Sequence, residues 1–141
     1  MSECDMSAVA GICDLAYTFP REMKKEEYQA KRKVFMDCCR HYHCQVKRRD
    51  WILMEKSCSG DCERNSIDDE LREVELQMLE NNILLVERIL TRIAKMYGEE
   101  AKELVSRIYV DGETLQKVGS ETYMSPRTIK RKIQTYLQCC L

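Results

Sequence analysis

Residues 121–137 read "ETYMSPRTIKRKIQTYL", and the position of Pro126 decides how the C-terminal third of the chain folds. Proline has no amide hydrogen to donate, so it is tolerated at the first position of a helix, and it pushes the residue before it out of the α region. Ser125 is therefore predicted as an N-cap and Pro126 as the first helical residue. From there Ile129, Ile133, Tyr136 and Leu137 recur at helical spacing on one face. Arg127, Arg131 and Gln134 fall on the opposite face, with Thr128 and Lys130 on its flanks. No Asp or Glu occurs between Thr122 and Leu141, so the charge of Arg127, Lys130, Arg131 and Lys132 is not neutralised locally. One face is core, and the other suits an anion.

Working upstream, "EEAKELVSRIYVDG" (residues 99–112) follows Gly98 as a helix with Ala101, Leu104, Val105 and Ile108 inward, ended by Asp111 and Gly112. "ETLQKVGSE" (residues 113–121) is a short helix with Leu115 and Val118 inward. Three short helices with a tight turn before a basic last helix describe a helix-turn-helix unit over residues 98–141. Residues 67–97 form a long connecting amphipathic helix, with Ser66 as its cap and Asp68, Asp69 and Glu70 at the positive end of its dipole. Along it Leu76, Leu79, Ile83, Val86, Leu90, Ile93 and Tyr97 alternate steps of three and four, and Met78, Leu85, Ile89 and Met96 widen the face. Residues 1–66 make a basic, cysteine-rich helical region ending in the linker "SCSGDCERNSID" (residues 57–68), with residues 21–56 reading as one long helix or two joined ones. Tyr28, Phe35, Cys38 or Cys39, Tyr42 and Val46 mark its apolar face.

The class expected from this pattern is all-α: long N-terminal helices followed by a C-terminal helix-turn-helix domain. Five glycines and two prolines in 141 residues leave few breaks, and the long stretches are rich in Glu, Lys, Leu, Met and Arg. The formal net charge of −1 hides a segregation. Successive blocks 1–20, 21–49, 50–121 and 122–141 carry −3, +6, −8 and +4. A chain so divided can meet nucleic acid with one part and a basic partner, or solvent, with another. The "KRK" and "KRR" runs of the N-terminal helices are expected as a solvated basic face, with an auxiliary phosphate-binding surface as the alternative.

No apolar run approaches the roughly 18 residues of a membrane span, and the N-terminus has no positively charged n-region, so a cytoplasmic protein with no membrane partner is expected. The nine cysteines are then expected as free thiols. Cys58 and Cys62 could join Cys39, His41, His43 or Cys44 around zinc. The run "CCRHYHC", however, would fan its side chains around a helix, and no metal or other cofactor is predicted. Paired carboxylates, a Gly-rich phosphate loop and a Ser or Cys nucleophile motif are not found, so no enzyme is expected.

Residues 109–137, "YVDGETLQKVGSETYMSPRTIKRKIQTYL", resemble the promoter-reading C-terminal module (region 4) of bacterial sigma factors. They look closer still to the small sigma-like late transcription regulators of phages and prophages, the ArpU/RinA type. There a "Y-x-D-G-x-T" turn precedes the motif and "S-P-R-T" opens the recognition helix. The resemblance implies Leu115 and Val118 as core positions of the scaffold helix and Gly119 as the small residue at the helix crossing. It also implies Met124 after the turn, Ser125 as cap, and Thr128, Ile129 and Ile133 completing the motif. Gly119 stands where alanine is commoner, and Tyr123 occupies the position often given to the turn glycine, which puts a left-handed backbone on a tyrosine.

The expected function is sequence-specific binding of double-stranded DNA in transcription regulation, of phage or mobile-element genes, through Ser125, Arg127, Thr128, Lys130, Arg131 and Gln134. The chain is too short for the other modules of a full sigma factor, so it is expected to act as a regulator, with RNA polymerase as a second candidate partner, and not as a complete initiation factor. The rival is a mobile-element adaptor or inhibitor that binds a nucleic-acid-handling protein, with the helix-turn-helix as scaffold or autoregulator. A homodimer through Leu79, Ile83, Val86 and Leu90 is expected only if the helices before them leave that strip uncovered.

Overall fold

The computed structural model describes residues 24–58 and 66–141, and among these every regular element is helical. The order is α1 (Lys25–Arg40), α2 (Tyr42–Cys58), α3 (Ser66–Tyr97), α4 (Glu99–Val105), a single π-helical turn (Ser106–Val110), α5 (Leu115–Thr122) and α6 (Pro126–Cys140). The segment expected as one helix or two is two. His41 separates α1 from α2, its amide still bonded to the Asp37 carbonyl at 3.3 Å and its own carbonyl accepting from Gln45 at 2.9 Å. Ser66 and Tyr97 bound α3 within a residue of where dipole and glycine signals place its ends.

The 32-residue α3 is the spine. Its inner face buries Leu76, Ile83, Val86, Ile89, Leu90 and Ile93. Val86, Ile89, Leu90 and Ile93 join one apolar cluster with Tyr28, Phe35, Cys38 and Cys39 of α1 and with residues of α4, α5 and α6. Ile52 of α2 is buried where that helix runs along α3. The core thus crosses Gly98, whose φ of +102° turns the chain out of α3 and into α4. Arg92 of α3 donates to the Cys140 carbonyl at 2.7 Å, so the spine also satisfies a carbonyl at the C-terminus of α6, where a cation is favoured.

This packing corrects the expectation of a free strip on α3. Ile83, Val86 and Leu90 are buried within the single chain, and Leu79 is half-buried. α1 does not cover the face alone; α2 and the C-terminal helices share the task. The condition for a dimer through this strip is therefore not met. Of the residues that widen the face, Ile89 is buried, Leu85 half-buried, and Met78 and Met96 exposed.

The C-terminal turn works by close approach. Thr114 caps α5, its hydroxyl accepting from the Lys117 amide at 3.1 Å. At the other end Tyr123 is left-handed, with φ 58° and ψ 37°, and the Met124 amide returns to the Gly119 carbonyl at 2.9 Å. A β-carbon added at Gly119 would stand 2.5 Å from the Met124 carbonyl oxygen, a backbone atom that cannot swing aside. This is why alanine, common at the crossing in the proteins the motif resembles, does not fit here.

Two substitutions should move stability in opposite directions. Gly119→Ala is expected to cost about 1–3 kcal/mol, the usual penalty for overpacking a close contact. Tyr123→Gly should gain about 0.5–1 kcal/mol, because the left-handed conformation costs an L-residue about 1–2 kcal/mol and glycine returns part of that as unfolded-state entropy. The Tyr123 side chain is 95% exposed, so little packing is lost. Urea melts of the two variants beside the parent check both signs.

Candidate nucleic-acid interface

α6 begins as its first two residues dictate. Ser125 is extended (φ −73°, ψ 153°), its hydroxyl accepts from the Thr128 amide at 3.2 Å, and Pro126 opens the helix. The Thr128 hydroxyl lies 2.9 Å from that of Ser125, so both hydroxyls are engaged at the helix start. Ile129, Ile133, Leu137 and Cys140 are buried, and together they fix which way the helix faces. Opposite them Arg127, Arg131 and Gln134 are exposed, Lys130 and Lys132 are exposed on the flanks, and Thr128 is half-buried. The helix runs on to Cys140, one turn beyond Leu137.

Several cations of α2 and α3, unlike those of this face, are paired with carboxylates. Arg48 makes a two-pronged contact to Glu75 at 2.8 and 3.0 Å, Lys56 pairs with Glu73, and Arg72 pairs with Glu55. Arg48 also sits over the Trp51 ring, 4.9 Å from its centre. The "KRR" run is thus largely engaged within the fold, since Arg49 meets Asp50 as well. By contrast, Arg127, Lys130, Arg131 and Lys132 have no carboxylate within 4 Å among the described residues.

One positioning residue carries no sequence signal. Arg107, in the π-helical turn, donates to both oxygens of Glu113 (2.7–3.3 Å) and also to Glu121 near the end of α5. Its partners lie six and fourteen residues away, separations that belong to no helical register. Hydrogen bonding to Arg107 holds the Glu113 carboxyl below its ordinary range. The clamp ties the turn before α5 to the helix itself, and so sets the platform on which α6 rests.

The cysteine and histidine run fans out as its helical register requires. Cys38 and Cys39 are in the core and Cys44 is exposed. His41 Nδ1 lies 2.9 Å from the Asp37 carbonyl, and His43 Nε2 lies 3.0 Å from an Asp111 carboxylate oxygen. Burial pushes the Cys39 thiol up to about 12 and that of Cys140 up to about 11, so neither offers the thiolate that metal binding or nucleophilic chemistry uses. Among the described residues no three metal-ligating side chains come together. Cys62 and the Cys58 side chain lie outside the described residues.

The family model for ECF sigma factors matches residues 28–137, from the start of α1 almost to the end of α6. This chain belongs to the ECF sigma factor family. No curated protein and no solved structure matches it. Membership of the ECF sigma factors places the chain among non-enzymatic, DNA-binding regulators of transcription that work with RNA polymerase. Among the described residues no helix is long and apolar enough to cross a membrane.

Replacing Arg107 by Met should lower the melting temperature at pH 7 by several degrees. The Glu113 pKa is lowered on folding, so the contribution of the pair is present above the unfolded glutamate pKa and is lost as pH falls through the folded one. Parent and variant melting curves should therefore converge as pH falls below the ordinary glutamate range. A gap that stays constant through that range would show that Arg107 acts by packing instead.

Proposed function

We propose that this ECF sigma family member is a compact regulator that reads double-stranded DNA with α6 in the major groove, and that its targets are phage or mobile-element genes. The observation that carries the reading is the exposed face of α6. Four cations and Gln134 stand there without a carboxylate partner, on a helix whose opposite face is locked in the core. Arg127, Arg131 and Gln134 read base edges, the groups that bidentate guanidinium and amide side chains match. Ser125, Thr128 and the first amides of α6 border phosphate, where the helix dipole favours an anion. Residues 114–137 act in this reading as a helix-turn-helix, and the likeness of residues 109–137 to the ArpU/RinA type supports the phage context.

RNA polymerase is the protein partner in this proposal. Leu71, Val74 and Met78 lie on one face of α3, each about 60% exposed, in a segment that also carries Glu70, Glu73 and Glu75. An apolar strip of this kind suits a protein surface.

Arg127→Ala and Arg131→Ala should each weaken binding to a selected duplex by about 1–3 kcal/mol and relax preference at one base position. Lys132→Ala should weaken all sequences alike. Selection from random duplexes followed by titration measures both; unchanged specificity in both arginine variants would remove α6 as the reading helix. Separately, Leu71→Glu should abolish co-purification with RNA polymerase and leave duplex binding as in the parent. Retained polymerase binding by that variant would exclude the α3 strip.

A further inference from the structure

Two clefts flank α6. One, of about 700 Å³, is lined by Glu100 and Glu103 as well as Arg107 and Lys132, so its charge is mixed. The other, of about 460 Å³, lies between α1 and α6. Gln29 and Arg32 form one wall, Lys130 and Gln134 the other, with Tyr28 and Tyr109 also lining it. Among the described residues no carboxylate lines this second cleft.

We propose that the cleft between α1 and α6 holds the sugar–phosphate backbone that borders the major groove, with Arg32 and Lys130 contacting phosphate from its two walls. The inference rests on the DNA reading of α6 and extends it to a helix at the other end of the sequence.

Three observations converge. Lys31 pairs with Glu27 and Arg40 with Asp37, whereas Arg32, half-buried between them in sequence, has no carboxylate partner among the described residues. Lys24, Lys25 and Lys33 of the same region also lack one, but of these cations only Arg32 lines the cleft. A guanidinium left unpaired in a cleft, facing a lysine, suits an anion with several acceptor oxygens, and phosphate is matched bidentately by arginine. Lys130 and Gln134 are one helical turn apart on the edge of α6 that faces α1. A strand passing α6 on this edge must therefore pass α1. Finally, burial raises the Tyr28 hydroxyl pKa despite the nearby Arg32, so the group stays a neutral donor. Contacts of this kind carry no sequence information; Arg32 instead sets the depth and register of α6 in the groove.

The full chain, a duplex it selects from a random pool and an unselected duplex of equal length form the test. Arg32→Ala should bind both duplexes about 3- to 10-fold more weakly at low salt. The slope of log affinity against log salt should fall by about one, as one lost phosphate contact requires. Arg32→Lys should restore the slope. Lys95→Ala, which removes a charge from α3 outside the cleft, should match the parent, and circular dichroism checks that every variant is folded. If Arg32→Ala keeps parent affinity and slope while Arg127→Ala loses specificity, the cleft is empty in the complex and the inference falls, with the reading of α6 intact. If the parent selects no duplex, both fall. Thermal stabilisation of the parent by inorganic phosphate that is lost in Arg32→Ala, with duplex binding unchanged, would assign the cleft to a free anion and overturn the inference as well.

Discussion

Every element in this chain depends on covering the inner face of α3. Fully burying an aliphatic side chain is worth about 1.5–3 kcal/mol, and five of them, Ile83, Val86, Ile89, Leu90 and Ile93, follow one another on that face within three turns. No single neighbour is apolar enough to match it. α1 supplies Phe35 and the two adjacent thiols, α4 supplies Leu104 and Val105, and α6 supplies Ile129, Ile133 and Leu137 to the same cluster. Because helices from both parts of the chain share one core, α6 is fixed relative to α1 through α3 and not on a flexible stalk. The Phe35 and Tyr109 rings, 6.1 Å apart and edge to face, mark the junction of α1 with the π-helical turn.

The same packing sorts the charges. Because α2 lies along α3, charges 17 to 27 residues apart in sequence meet as Arg48–Glu75, Lys56–Glu73 and Arg72–Glu55. Exposed pairs of this kind add little stability, so their main effect is to quench a positive surface. Among the described residues the four cations of α6 stay uncompensated, as do others on α1, α2 and α3. A field left open on one face steers polyanions toward that face, and it weakens with salt over a distance of about 10 Å at 0.1 M ionic strength.

The short connection between α5 and α6 shows how little slack the arrangement has. Gly119 admits the Met124 carbonyl, and Tyr123 accepts a left-handed backbone so that the chain can reverse within three residues. Arg107 then braces α5 from outside through Glu113 and Glu121. Strain at Tyr123 and tight contact at Gly119 are local costs, offset by four buried side chains on α6 that only this turn brings into the core.

By itself the sequence determined the helical class, the Ser125–Pro126 start of α6, the inward positions Ile129, Ile133 and Leu137, and the stop at Gly98. Each is set by residues within one or two turns of one another, through proline geometry, capping and helical periodicity. The left-handed Tyr123 was legible only through the resemblance, which often gives that turn position to glycine. Only the tertiary structure decided that α3's strip is interior, since an amphipathic face looks the same whether its own chain or a second copy covers it. It alone decided which cations stay free: charge pairing depends on distances across helices, and the register of α2 on α3 is not written in either helix. Arg107 was invisible for the same reason, and within the "KRK" run offered as a phosphate-binding alternative only the fold singles out Arg32. Their surroundings come from residues remote in sequence, brought within a few ångströms by the burial of α3.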